Sequence, residues 1–322
     1  MDDGVPKSRI EACNEVSSRS DGEYVLYWMT GFRRVGFNFS LQRALEWARE
    51  YKKPLVVLEA LRCDYAWASD RLHRFVLDGM AANARRLSDT AVTYYAYIER
   101  ERGDARGLLK ALASQACVVV TDDYPAFFLP RMVAAAAARL PVLLEKVDSN
   151  GLLPLRAAER IFKTAHSFRR FLQKNLVGHL SEQPQPDPLK GVRLPRLEAL
   201  PAVIEARWPN SDTILIEEPQ PGLAELPINH SVPAAELAGG ESAASAVLEQ
   251  FLTERLASYA EDRNHPDEGA TSGLSPYLHF GHISSHQVFS ELMALEDWDT
   301  DRLAGTANGK RSGWWGVSAS AE

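Results

Sequence analysis

The sequence predicts an α/β fold: a doubly wound, five-stranded parallel sheet domain, then a linker and the start of an all-helical domain. Three observations predict it. Between residues 22 and 148, short apolar runs alternate with amphipathic stretches of helical period. From Ser181 to Pro233 prolines recur and the period is lost, and after Ala234 a helical period returns without strands. Apolar runs separated by helical patterns mean βαβ units, whose parallel strands are covered on both faces.

The elements follow in order. Tyr24 to Met29 (YVLYWM) reads as a buried strand and Asn38 to Tyr51 as an amphipathic helix. Pro54 to Ala60 is the second strand, followed by a helix from about Ser69 to Leu87. Ala91 to Tyr97, a helix around Ala105 to Ser114, and Ala116 to Thr121 (ACVVVT) continue the alternation. A helix from Phe127 to Ala138 leads to the last strand, Pro141 to Val147. The ligand crevice of such a sheet lies at the carboxyl ends of its strands, here Thr30 to Arg34 and Thr121 to Pro125. Asp122 and Asp123 there are either ligand contacts or, as acids between strand and helix usually are, caps and turn formers. The proline-rich stretch is longer than compact domains normally hold, so it is functional or wrapped over a surface, with a short helix within Leu197 to Arg207. Glu241 to Arg263 carries Val247, Phe251, Leu252, Leu256 and Tyr259 along one face of a helix. The expected domains are therefore 22–180, a linker 181–235, and a partial helical domain 236–322.

Composition narrows the function. The chain has 322 residues, is 45% hydrophobic and 25% charged, and so is ordinary for a protein with a real core. No signal peptide is visible in the polar start through Glu23. The most apolar stretch, Met132 to Leu144, is interrupted by Arg139 and Pro141 and falls far short of the roughly 18 residues of a membrane span. Cys13, Cys63 and Cys117 lie far apart, without metal or redox spacing, which suits a reducing cytoplasm. The net charge of −7 argues against nucleic acid, but the charge is uneven: residues 1–235 hold 31 bases and 29 acids, residues 236–322 hold 5 and 14. Gly151 to Leu180 holds six bases against Glu159 alone, either a solvated helix face or a phosphate-facing surface.

The polar constellations of hydrolases and phosphate-loop enzymes are missing, and no Gly-x-Gly-x-x-Gly follows a strand. That leaves a binding protein or an enzyme whose chemistry resides in a cofactor. The informative stretch is Ser258 to Ser284, SYAEDRNHPDEGATSGLSPYLHFGHIS. Thr271-Ser272-Gly273-Leu274-Ser275 sets three hydroxyls and a glycine ahead of a helix, an arrangement that is more often a helix cap than a phosphate site but can serve as either.

The string of a tyrosine-ended helix, Arg-Asn-x-Pro, and Ser-Gly-Leu-Ser-Pro-Tyr-Leu-His-Phe-Gly-x-Ile-Ser resembles the opening of the flavin domain of the photolyase and cryptochrome family. Gly239-Gly240-Glu241 is similar to the start of that domain. Val25 to Thr30 with Arg33, Arg34 and Asn38, Val120-Thr121-Asp122, and Val147-Asp148-Ser149 with Ala165 to Arg169 resemble class II cyclobutane pyrimidine dimer photolyases. The resemblance implies a lyase that uses FAD and light to split pyrimidine dimers in DNA. It assigns Tyr259, Thr271, Ser272, Gly273, Leu274 and Ser275 as cofactor contacts. A second, antenna chromophore goes with the family, but Gly31-Phe32 and Pro154-Leu155-Arg156 depart from its pattern and no antenna residue is assigned. Gly309 to Gly316 resembles the run into the lesion-binding helices. Because those helices would lie beyond Glu322, the expectation is a truncated or split chain, inactive alone, with a companion chain and with Val247, Phe251 and Leu256 left bare. A cryptochrome-like photoreceptor and a non-catalytic remnant that binds a nucleotide or partner remain the alternatives.

Overall fold

The computed structural model describes residues 4–211, 215, 222–265, 267 and 269–302. The pattern of apolar runs becomes a six-stranded sheet of β1 (Ile10–Ala12), β2 (Tyr24–Met29), β3 (Leu55–Leu61), β4 (Thr93–Ile98), β5 (Ala116–Asp122) and β6 (Leu144–Val147). Their order is β1-β6-β5-β2-β3-β4. The five expected strands are parallel throughout, and β1 adds a sixth, antiparallel to β6 at the edge. β1 escaped the periodicity reading because its three residues, IEA, bear no apolar run and are only partly covered.

Strand alternation sorts the core into two layers. Val25, Tyr27 and Met29 face one side, where they meet α1 (Phe39–Tyr51) and α2 (Asp70–Ser88) through Leu45, Leu77 and Met80. Tyr24, Leu26 and Trp28 face the other, against α3 (Leu108–Ala113) and α4 (Leu129–Ala137) through Leu112 and Val133. Asn38 starts α1 because its side chain accepts the Leu41 N–H, satisfying a donor the helix cannot.

The proline-rich stretch wraps the sheet region. Leu189, Val192 and Leu226 pack on the first layer, while Leu200, Ile204 and Trp208 pack on the second. The last two sit on or beside α6 (Ala202–Arg207), inside the helix expected at 197–207. Trp208 Nε1 donates to the Asp104 carbonyl at 2.7 Å, and the Tyr95 hydroxyl donates to the Trp208 carbonyl. The basic stretch forms α5 (Ala165–Asn175), capped by Thr164 and with Arg170 and Lys174 exposed.

The expected helix from Glu241 to Arg263 is not continuous. It comprises α7 (Glu241–Gln250), a π-turn at Phe251–Arg255, and α8 (Leu256–Asp262). Further on lie α9 (Ser275–His279) and α10 (Ser285–Leu295). Val247, Phe251 and Leu256 are not bare: they share an apolar cluster with Phe75 of α2 and with Leu274, Tyr277 and Ile283.

This helical part is seated on the sheet region by backbone contact. Glu241 accepts the N–H groups of Val35 and Gly36 at 3.1 and 3.0 Å. A Cβ on Gly239 would stand 1.9 Å from the Phe75 carbonyl oxygen, and one on Gly281 1.9 Å from that of Gly31. Gly281 also has φ +72, which side chains rarely adopt. Arg34, fully buried, donates to the Gly281 carbonyl at 3.0 Å and ties the two parts across 247 residues of chain. Among the described residues no helix is long and apolar enough to cross a membrane.

Candidate cofactor sites

Two places can receive a ligand. The first is where strand order predicts it, at the carboxyl ends of β2, β3 and β5, beside the point where the order of connection reverses. A cavity of about 730 Å³ opens there, with Trp28, Tyr65, Phe128 and Met132 among its apolar walls and Arg33 and Arg62 at polar positions. Its mouth is rimmed by exposed Trp67, 77% accessible, and Phe127, 63% accessible. Burial pushes the Tyr65 hydroxyl up to about 12, so it stays protonated. Arg33 is held by Glu59 at 2.8 Å and Arg62 lies 3.7 Å from Asp64, so neither cation is unpaired.

Asp122 organises this cavity without entering it. Its buried carboxylate accepts the N–H groups of Thr30, Gly31 and Phe32 at 2.7–2.9 Å and the Tyr27 hydroxyl at 2.8 Å. It is therefore the turn former of the two readings given above. Asp123, by contrast, pairs with Arg156 and Lys146. The remaining wall comes from the helical part: His279, the last residue of α9, and Phe280, directly after it, line the cavity. The Phe127 and His279 rings meet edge-on at 5.1 Å.

The second place is the hydroxyl-rich turn. Thr271, Gly273 and Ser275 are exposed, Ser272 is half-buried and Leu274 is buried. Leu274 anchors the turn in the apolar cluster that also takes in Tyr259. Gly273 has φ +72, and a Cβ there would approach Val247 to 3.3 Å, so the turn lies close over α7. Ser272 Oγ accepts the Leu274 N–H at 3.4 Å, which leaves its own proton free to donate outward. Tyr259 packs edge-on against Phe251 at 5.2 Å, with Arg263 over its ring at 5.6 Å. Across the gap, Arg255 Nη1 donates to the Thr271 carbonyl at 3.1 Å while its Nε is buried and without a partner. Open hydroxyls, a glycine cradle and an orphaned guanidinium donor suit a phosphate-bearing group.

All six residues assigned by the motif thus belong to one small region, joined by one apolar cluster and one Arg255 hydrogen bond. Pro266 of the Arg-Asn-x-Pro element and the Gly309–Gly316 run lie outside the described residues. Arg255 was missed in the sequence, where it reads as one more base on an exposed helix face. The π-turn that places it has no composition signal.

Known proteins are similar to this chain over most of its length. A deoxyribodipyrimidine photo-lyase of Methanothermobacter thermautotrophicus is 28% identical over 280 residues, covering 87% of this chain and 58% of the relative. One from Arabidopsis thaliana is 28% identical over 278 residues, covering 83% and 52% respectively. Over most of its length the chain is similar to the photolyase and cryptochrome family. A bacterial class III photolyase from Agrobacterium tumefaciens shares the fold at TM-score 0.60 and 17% identity, over 88% of this chain and 56% of that one. Cryptochrome-2 of Arabidopsis thaliana is 38% identical over 104 residues, 31% of this chain. No family model matches. The chain spans about half to three-fifths of the length of these curated photolyases.

Proposed function

We propose that this chain serves a deoxyribodipyrimidine photolyase, a light-driven, FAD-dependent lyase acting on cyclobutane pyrimidine dimers in DNA. The observation that carries the reading is the open hydroxyl turn Thr271–Ser275 pinned beside Tyr259, with the deoxyribodipyrimidine photo-lyases above as support. The flavin, when bound, supplies the light-driven electron chemistry. The chain's own residues bind and orient it. Thr271, Ser272 and Ser275 donate hydroxyl hydrogen bonds to its pyrophosphate, Gly273 admits close approach, and Leu274 fixes the turn from below. Tyr259 flanks the same group from α8. No catalytic residue is assigned among the described residues.

The cavity at the strand ends supports a second, antenna chromophore: its aromatic walls suit a planar, light-absorbing molecule. The domain division at 22–180, 181–235 and 236–322, a cytoplasmic setting and a possible companion chain go with this reading. A cryptochrome-like photoreceptor is the second reading, favoured by the 104-residue likeness to cryptochrome-2. A remnant that only binds a nucleotide or partner is the third.

Illumination of the FAD-reconstituted chain with dimer-containing oligonucleotide, both alone and together with a companion chain that supplies the further helices, tests the choice, and the result with the companion decides it. Light-dependent recovery of intact thymines supports the lyase. Flavin bound and photoreduced with dimers left intact would favour the photoreceptor.

A further inference from the structure

We propose that Arg255 is the cationic ligand of the phosphate group received by the Thr271–Ser275 turn. This rests on the flavin reading and adds to it a residue that the motif does not contain.

Charge pairing is the first observation. Arg33, Arg43, Arg74 and Arg156 each meet a carboxylate within 3.0 Å. Arg255 meets none among the described residues, although the chain from Glu236 onward holds 14 acids and only 5 bases. Its Nη1 is spent on the Thr271 carbonyl, and its buried Nε has no acceptor. A half-buried guanidinium with an unused, water-excluded donor is costly unless an anion completes it.

Backbone geometry is the second. At Phe251–Arg255 the helix widens into a π-turn, and the Leu256 N–H bonds back to the Phe251 carbonyl. Arg255 leaves helical geometry, with φ −121 and ψ −16. The inserted residue rotates everything after it by about 100° relative to an unbroken helix. That rotation aims Arg255 at the turn while Tyr259 stays in the apolar cluster with Phe251. π-Turns are rare and concentrate at functional sites, because the poorer helix geometry persists only where something else requires it.

A purely structural Arg255 would need only its hydrogen bond to Thr271, which a neutral side chain can make. A phosphate ligand needs the charge. Binding of FAD and of riboflavin, which lacks phosphate, is therefore to be measured by fluorescence titration on the full chain, with R255Q and R255K, at two salt concentrations. The expected result is that R255Q weakens FAD about tenfold or more, flattens its salt dependence and leaves riboflavin unchanged, while R255K keeps most of the FAD affinity. Wild-type FAD affinity in R255Q, or equal loss of FAD and riboflavin, overturns the assignment of Arg255 alone. Failure of the wild-type chain to bind FAD overturns the flavin reading and this proposal with it.

Discussion

The sheet region and the helical part meet the same problem, holding a turn in place for a ligand, with different means. In the sheet region the turn after β2 is fixed by one buried carboxylate, Asp122, which satisfies three backbone N–H groups and a tyrosine hydroxyl. Apolar layers on both faces back it up. In the helical part the turn at 271–275 is fixed by one leucine, one arginine hydrogen bond and the seating of Gly281 on Gly31. The first arrangement is redundant and interior. The second is thin, open to water and dependent on the first for its seat.

That contrast can be broken, beginning with the largest effect. Asp122→Asn removes the charge that three N–H groups share on Oδ2 and turns Oδ1, which accepts the Tyr27 hydroxyl, into an amide donor, so that at least one buried donor loses its acceptor. We expect a loss of about 3–5 kcal/mol in the cooperative unfolding of the sheet region, read by denaturant melts. A loss below about 1 kcal/mol would mean that the loop holds itself without the carboxylate. Gly281→Ala must push the Gly31 carbonyl away and adopt φ +72 with a side chain. A cost of about 2–4 kcal/mol is expected, confined to the helical part. Hydrogen exchange should therefore accelerate at residues 241–295 while β2, β3 and β5 stay protected. Uniform acceleration would show that the two parts unfold as one.

Acid sharpens the comparison with a smaller effect. Burial, reinforced by Arg33 and Arg34, pulls His282 down to about 3, and burial with Arg9 and Arg34 does the same to His286. His282 Nδ1 accepts the Gly240 N–H at 2.9 Å, so the ring is neutral with its proton on Nε2. Both folded values lie below the unfolded value near 6.5, so the unfolded chain binds more protons between about pH 6.5 and 3. Stability is thus full above about 6.5 and falls as the pH drops through that window. His73 on α2, held near 4, adds to the trend. The helical part should loosen first, by about 1–3 kcal/mol near pH 4.5, and His282→Gln should flatten the dependence. An unchanged pH profile in that variant would remove His282 from the seat.

The same contrast explains what the sequence revealed. Five strands were legible because each is an apolar run that must be buried on both faces. β1 was not, since Ile10–Ala12 forms a strand only by pairing with β6. The turn at 271–275 was legible as a string of residue types, and its exposure follows from the hydroxyls themselves. Its supports were not, because a π-turn, a lone arginine and a glycine pressed on a distant carbonyl are decided by tertiary contact. The packing of Leu189, Val192 and Leu226 on one layer and of Leu200, Ile204 and Trp208 on the other likewise shows only in the packed chain, although the prolines forecast an extended path.

The most direct measurement is FAD binding by the full chain beside a variant carrying Ser272→Ala and Ser275→Ala together. Both serines lie on the accessible face of the turn, so thermal stability should change by no more than about 0.5 kcal/mol. Flavin affinity should fall by about 1–3 kcal/mol for each hydroxyl lost to a charged acceptor, read as tenfold or more in the dissociation constant. Equal flavin affinity in the double variant and the wild-type chain would contradict the placement of the cofactor at residues 271–275.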